Sequence, residues 1–147
     1  MKKCIILFIL FSMYGFAQSR TAVMASVAQD ENLLQMSFRS GKFAYIPSFG
    51  IHSVTKAGTD FSINLIPRFY TSSDVTSPFI SVRIGYLRVA AANKNFLLLG
   101  LGFGGEHLIN NSLAVGVELM LNYNKDLGEK GIDEFITTPK IFVAVYF

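Results

Sequence analysis

The sequence has 147 residues, of which 51% are hydrophobic and only 16% are charged. This length suits one domain, and the low charge excludes a disordered chain, which would lack apolar side chains to bury. Lysine and arginine number 13 against 10 acidic residues. Lys2 and Lys3 lie in an N-terminal segment that is predicted below to be a cleaved signal peptide. Without them the chain is nearly neutral, which excludes a nucleic-acid-binding protein.

The first segment of the chain has the features of a targeting signal. Lys2 and Lys3 give a basic start, and an unbroken apolar run follows over 4–11. The run is too short to cross a bilayer, which takes about 20 residues. The small residue Ala17 then completes a plausible cleavage site. The pattern predicts a signal peptide over 1–18.

The exported domain, residues 19–147, alternates apolar residues with small or polar ones. In one segment Ile63 and Leu65 alternate with Ser62 and Asn64. Because successive side chains of a strand point to opposite faces, this period of two predicts strands with one apolar face. The same pattern predicts eight strands, at 21–29, 33–39, 43–52, 61–70, 79–89, 96–107, 112–123 and 137–147.

Residues that favour turns separate these strands and divide into two sets. The connections predicted to lie on the inner, periplasmic side are 40–42, 71–78 and 108–111. Those predicted to reach outward, and to carry any specific recognition, include 53–60, 91–95 and 124–136. Pro47 and Pro67 fall inside predicted strands, where each removes a ladder hydrogen bond, so we expect a β-bulge near each.

The composition of the second strand face distinguishes two architectures. A soluble barrel or sandwich would show water a face rich in charged residues, whereas a membrane barrel encloses that face and turns its apolar face to lipid. Here the second face is made largely of glycine, alanine and serine, and most charges fall in the connections. The pattern therefore predicts an all-β fold: a closed, antiparallel, up-and-down transmembrane β-barrel of about eight strands.

In the last five predicted strands, five charged residues share the parity of the enclosed face. An enclosed charge is costly unless it is paired. Folding the last hairpin about its midpoint sets Glu118 opposite Lys140, and the same construction brings Arg83 close to Glu106. We therefore predict a charge network in the lumen with these two ion pairs. Its members are Arg68, Arg83, Glu106, Glu118 and Lys140.

The segments 61–70, 78–89, 97–123 and 140–147 resemble the small outer-membrane β-barrel proteins of Gram-negative bacteria, of the OmpX, OmpW and OmpA-barrel kind. The resemblance implies an outer-membrane location, contact with outer-membrane lipid and a monomer. It also implies a role for the last strand, which in the family ends in an aromatic residue and is read by the barrel assembly machinery. The matching residues are Ile141, Val143, Val145 and Phe147.

Motifs for enzymatic or cofactor chemistry were weak. The segment 100–105 fits G-x-G-x-x-G but leads into a turn and a strand instead of a helix. His52 and His107 lack a third ligand at metal spacing, and Cys4 leaves with the leader. We therefore predict no catalytic residue, no cofactor and no metal.

The main prediction is a non-enzymatic outer-membrane barrel with a structural or surface-interaction role. Three alternatives stay open: a narrow channel for small solutes, a soluble lipocalin-like carrier, and a lipid A-modifying barrel enzyme. The last fits least, because the deacylases among these enzymes carry a His-x-Ser-Asn element, whereas here His107 and Ser112 are five positions apart.

Overall fold

Eight antiparallel strands wind in chain order into one closed barrel. The computed structural model describes residues 20–28, 31–55, 58–90, 92–128 and 133–147. The predicted signal peptide lies outside these residues, which contain no helix long and apolar enough to cross a membrane. The strands are β1 (Arg20–Ala28), β2 (Asn32–Ser40), β3 (Phe43–Thr55), β4 (Gly58–Tyr70), β5 (Thr76–Val89), β6 (Lys94–Leu108), β7 (Leu113–Asp126) and β8 (Glu134–Tyr146).

The barrel is closed by pairing of its first and last strands. Strand β1 pairs with β2 along one edge and with β8 along the other, where Val23 lies opposite Val145. Closure leaves no strand with an unpaired edge. The predicted all-β, eight-stranded, up-and-down antiparallel barrel is confirmed.

Every strand turns its more apolar face outward. On β4, Ile63 is 57% exposed at the outer surface, whereas its neighbour Asn64 is only 4% exposed and points into the lumen. The same alternation runs through β7, where Val117 is outside and Glu118 is buried. This is the reverse of a soluble carrier, which would place the apolar face inside.

The strands extend further than the sequence pattern predicted, at the expense of the connections. Within the connection predicted at 53–60, residues 53–55 belong to β3 and residues 58–60 belong to β4, and Thr55 pairs with Gly58. Likewise Asn124 pairs with Glu134, so residues 124–126 and 134–136 of the predicted 124–136 loop belong to β7 and β8. The sequence pattern did not predict these extensions, because the alternation of apolar side chains stops before the backbone pairing does.

The bulges predicted at Pro47 and Pro67 are wrong. The register of β3 against β4 passes through both prolines unshifted. Instead, the β2–β3 ladder omits the pairs at Ile46 and Pro47, and the β4–β5 ladder omits those at Ile66 and Pro67. Proline has no backbone N–H to donate, so pairing with one neighbouring strand is interrupted at each proline. The pairing resumes in the same register, without an extra residue. The register shift in the β3–β4 hairpin falls between Ile51 and Ser53.

The two ends of the barrel differ in what connects the strands. At one end, here called the turn end, lie Arg20, Phe147 and the connections 41–42, 71–75 and 109–112. The opposite end, where β1, β3, β5 and β7 finish, is called the loop end. The predicted periplasmic turns thus share the turn end, and the predicted outward connections share the loop end.

Candidate functional site

A buried carboxylate organises the turn-end half of the lumen. Glu106 is 1% exposed, and four side chains surround it. Arg39 and Tyr146 donate hydrogen bonds to its Oε1 at 3.3 and 2.7 Å. Tyr70 donates to Oε2 at 2.9 Å, and Arg68 forms an ion pair with the same oxygen at 3.7 Å. These five residues are called the Glu106 cluster.

Arg68 extends this cluster towards the middle of the lumen. Its Nη2 forms an ion pair with Glu118 Oε2 at 3.3 Å, and Ser81 donates a hydrogen bond to the other oxygen of that carboxylate. The guanidinium carbon lies 3.8 Å from the ring centre of Phe79 and 4.7 Å from that of Phe142. A desolvated guanidinium gains energy from aromatic faces as well as from carboxylates. Arg68 therefore links the ionic and aromatic parts of the lumen.

A second cluster occupies the loop-end half and depends on a residue from a connection. Glu31, just before β2, is 5% exposed. Both of its carboxylate oxygens accept hydrogen bonds from Arg83, one of them from Nη1 at 2.9 Å. Lys140 Nζ lies 3.6 Å from Glu31 Oε2, and Arg83 Nε donates to Asn64 Oδ1 at 2.8 Å. These four residues are called the Glu31 cluster.

All five charged residues predicted for the lumen lie inside it, but the two predicted ion pairs are wrong. Glu118 does lie opposite Lys140 in the ladder. Among the described residues, however, Glu118 forms its ion pair with Arg68, and Lys140 forms its own with Glu31. In a narrow lumen, side chains contact residues across the barrel as well as residues on the adjacent strand. A charged residue therefore does not have to form its ion pair with the residue directly opposite it in the ladder.

The predicted pair of Arg83 and Glu106 fails for a different reason, which is register. Arg83 lies opposite Gly100, and Glu106 lies opposite Ser77. The β5–β6 turn is closed by a hydrogen bond from Asn93 N to Ala90 O, with Asn93 at a positive φ of 50°. This turn comes earlier than the predicted connection, so β6 slides along β5 without changing which residues face inward.

Four residues of the lumen clusters were missed at the sequence level. Arg39, Tyr70 and Tyr146 have the correct parity in their strands, so the alternation could have included them. Glu31 carried no such signal, because its segment reads as a connection.

Glycine makes room for the large lumen side chains. A Cβ built on Gly116 would lie 2.1 Å from the Phe142 ring, and one on Gly104 would lie 2.2 Å from the Val117 carbonyl oxygen. Both distances are far below van der Waals contact. The absence of a side chain at these positions is therefore required by close packing inside the barrel.

A cavity of about 400 Å³ lies at the loop end, between the Glu31 cluster and the ends of β5 to β8. Glu31 and Arg83 border it, together with apolar residues such as Leu98 and polar ones such as Asn122. Asn122 donates a hydrogen bond to Thr138 at 3.0 Å. Towards the turn end the lumen is filled, because Arg68, Tyr70, Phe79 and Phe142 are fully buried there. The cavity therefore stops at the charged clusters.

The outward residues of the last strand form part of the barrel seam. Ile141, Val143 and Val145 face outward and pair with β1. Phe147 N donates to Thr21 O at 2.9 Å, which fixes the end of the strand at the turn end. The recognition of this strand by an assembly machinery stays a prediction.

Within the described residues, no group of three or more histidine, cysteine, aspartate or glutamate side chains could hold a metal ion. His107 lies at the outer surface of the turn end, where its Nδ1 is 2.8 Å from Thr76 Oγ1.

The fold and the filled lumen define a closed eight-stranded β-barrel with an apolar outer wall. The sequence matches no protein-family model and no curated protein. The solved structures that are similar in fold include the following two. The N-terminal β-barrel domain of Pseudomonas aeruginosa OprF superposes with a TM-score of 0.58 at 11% identity, covering 88% of this chain and 96% of the other. Neisserial surface protein A (NspA) gives 0.52 at 10% identity, covering 88% and 94%.

Proposed function

We propose that this chain is a non-enzymatic integral protein of the outer membrane of a Gram-negative bacterium, with a structural or surface-interaction role. The observation that carries the proposal is the inverted distribution of polarity. Leu101, midway along β6, is 56% exposed, whereas Glu106 on the same strand is almost completely buried. An apolar outer wall on a closed barrel is stable in hydrocarbon, where every backbone group must be satisfied internally.

The filled lumen supports a barrel that does not conduct solutes. An eight-stranded barrel has an interior just wide enough for side chains to fill. Here the Glu106 cluster, Phe79 and Phe142 occupy the turn-end half, and the loop-end cavity stops at the Glu31 cluster. A narrow channel, the second candidate, would need these ion pairs to separate.

The surface role would belong to the loop end. The connections there are shorter than the sequence pattern predicted, and exposed side chains such as Lys94, Asp133 and Phe135 lie beside them on a rigid scaffold. Rigid barrels position variable connections in this way for recognition. The outward residues of the strands do not identify the partner that would bind this surface.

The last strand would supply the assembly signal. Its outward residues, Ile141, Val143, Val145 and Phe147, are presented in the pattern that the family resemblance implies for the barrel assembly machinery. Deletion of Phe147 should lower the amount of folded barrel in the outer membrane without changing refolding of the purified chain into detergent.

Electrophoresis with and without boiling tests the proposed class. A detergent-folded membrane barrel should resist SDS and migrate as a compact species until it is heated. Planar-bilayer recording then tests the lumen, and we expect no unit conductance from the folded protein. Recovery of the native protein from a periplasmic extract without detergent would overturn the membrane location, and regular conductance steps would overturn the closed lumen.

A further inference from the structure

One row of outward residues, smaller on average than those of the neighbouring row, crosses the barrel wall from strand to strand. Thr71 donates its N–H to Pro78 O at 2.9 Å, and Pro78 lies opposite Gly105. Gly105 pairs with Val117, Val117 with Ile141, and Ile141 with Val27. These six positions form a continuous line in the direction of the interstrand hydrogen bonds.

This row is the floor of a groove of about 830 Å³ on the outer wall. The neighbouring row is bulkier and forms one bank, with Ile80, Phe103 and Leu119. The groove is open at Gly105, where an added Cβ would meet no atom within 4 Å. The lining is overwhelmingly apolar, so its occupant must present hydrocarbon.

The dimensions of the row fit one acyl chain within one membrane leaflet. Five interstrand steps of about 4.8 Å give a length of about 24 Å. Because strands in such barrels tilt by about 40°, the row climbs about 15 Å along the barrel axis. That height is close to half of a hydrocarbon core about 30 Å thick. The groove starts at the turn-end rim, at Thr71, and finishes on β1 at Val27.

A lysine side chain lies where the groove meets the turn-end rim. Lys42, exposed in the β2–β3 turn, donates one hydrogen bond from Nζ to Thr71 O at 3.1 Å. An ammonium group has three donors, so two remain for a further acceptor. The groove therefore combines an apolar trough with a positive charge at its turn-end rim.

We propose that this groove is a binding site for one phospholipid molecule of the turn-end leaflet. One acyl chain lies along the row from Thr71 to Val27, and the phosphate accepts hydrogen bonds from Lys42. The proposal rests on the proposed membrane location and goes beyond it, because a barrel without a retained lipid would be an equally stable membrane protein.

Native mass spectrometry of the detergent-folded protein, titrated with dioleoyl phosphatidylglycerol, tests the site. The wild-type chain should retain one lipid per barrel. In Gly105→Leu the new side chain fills the groove without meeting another atom at its Cβ, so this variant should fold normally. It should weaken lipid binding by about tenfold, because the side chain occupies the place of the acyl chain. Ala25→Leu enlarges an outward side chain on β1 outside the groove, and it should retain lipid as the wild type does.

Lys42→Ala tests the headgroup end of the site. It should weaken phosphatidylglycerol binding about threefold, the scale of an exposed ion pair. Binding of dioleoylglycerol, which has the same chains and no phosphate, should be weaker in the wild type and unchanged by this substitution. Equal binding of the two lipids would overturn the role of Lys42.

The same samples separate failure of this proposal from failure of the membrane location. If Gly105→Leu and Ala25→Leu retain equal lipid while both show the heat-dependent shift on electrophoresis, the site is refuted and the barrel stands. A stable dimer that Gly105→Leu disrupts would assign the groove to a second copy and overturn the lipid site. Loss of the electrophoretic shift in the wild type would refute the membrane barrel itself.

Discussion

The inner and outer faces of the same strands are specified in opposite ways. Gly105 and Glu106 are adjacent on β6, yet Gly105 faces open space outside and Glu106 meets four side chains inside. The outer face needs apolar character and tolerates many side chains, because in the proposed membrane location lipid would adapt to its shape. The inner face needs individual partners, because a buried charge or a clash has no solvent to relieve it.

Removing the central carboxylate should have the largest effect. In Glu106→Ala, Arg39 loses a hydrogen bond, Arg68 loses one of its two ion pairs, and two tyrosine hydroxyls lose their acceptor. Breaking a buried pair from one side costs about 3–5 kcal/mol, and urea unfolding in phospholipid vesicles should show a loss of that size. Glu106→Gln keeps an acceptor oxygen and should lose less. Equal stability of Glu106→Ala and the wild type would mean that the lumen is hydrated.

A charge on the outer face should cost nearly as much, but only in a membrane. Leu101 lies midway along β6 and faces outward. An arginine at the bilayer midplane of a barrel destabilises it by about 2–4 kcal/mol, so Leu101→Arg should show that loss when unfolded from vesicles. Leu101→Ala separates charge from size and should lose clearly less. If Leu101→Arg is neutral in vesicles, the outer face does not contact hydrocarbon.

The same small substitution should have opposite effects on the two faces. In Gly116→Ala the new methyl group clashes with the Phe142 ring, and overpacking of this kind costs about 1–3 kcal/mol. In Gly105→Ala the methyl group meets nothing, and the loss of backbone freedom in the unfolded chain should stabilise the barrel by about 0.4–1 kcal/mol. Parallel unfolding curves measure the difference. Equal shifts for both variants would contradict the contrast between the faces.

The smallest effect on stability is expected at the rim of the barrel, where both the inner and the outer face reach water. Lys94 is half-exposed and pairs at 3.0 Å with Asp126, whose side chain is only 2% exposed. Asp126 also accepts a hydrogen bond from Gly128 N at 2.9 Å, and solvent reaches the lysine side of the pair, so Lys94→Ala should shift the unfolding midpoint only slightly, costing no more than about 1 kcal/mol. A large shift would show that the rim behaves as part of the buried lumen.

The sequence predicted the faces of the strands better than their pairing. Alternation alone placed Arg68, Arg83, Glu106, Glu118 and Lys140 on the enclosed face, and all five lie there. Parity survives an error in register by an even number of residues. This is why Arg83 was assigned to the correct face and to the wrong partner.

The contacts of the lumen were less accessible to sequence reasoning. Glu31 enters the lumen from a connection, which period-two alternation does not describe. The prolines gave a second error, because the sequence shows that an N–H is missing but not which neighbouring strand would have received it. Both outcomes depend on groups that are distant along the chain.

The sequence by itself determined that strands would form, which residues of each would face the same way, and that the closed barrel would turn its apolar face outward. These properties follow from the local geometry of a strand and from the chemistry of the two faces. Only the tertiary structure decided which charges meet, where the lumen is filled and where the outer groove runs. Those features arise when closure brings together side chains from several strands, at positions set by turn geometry that no single segment contains.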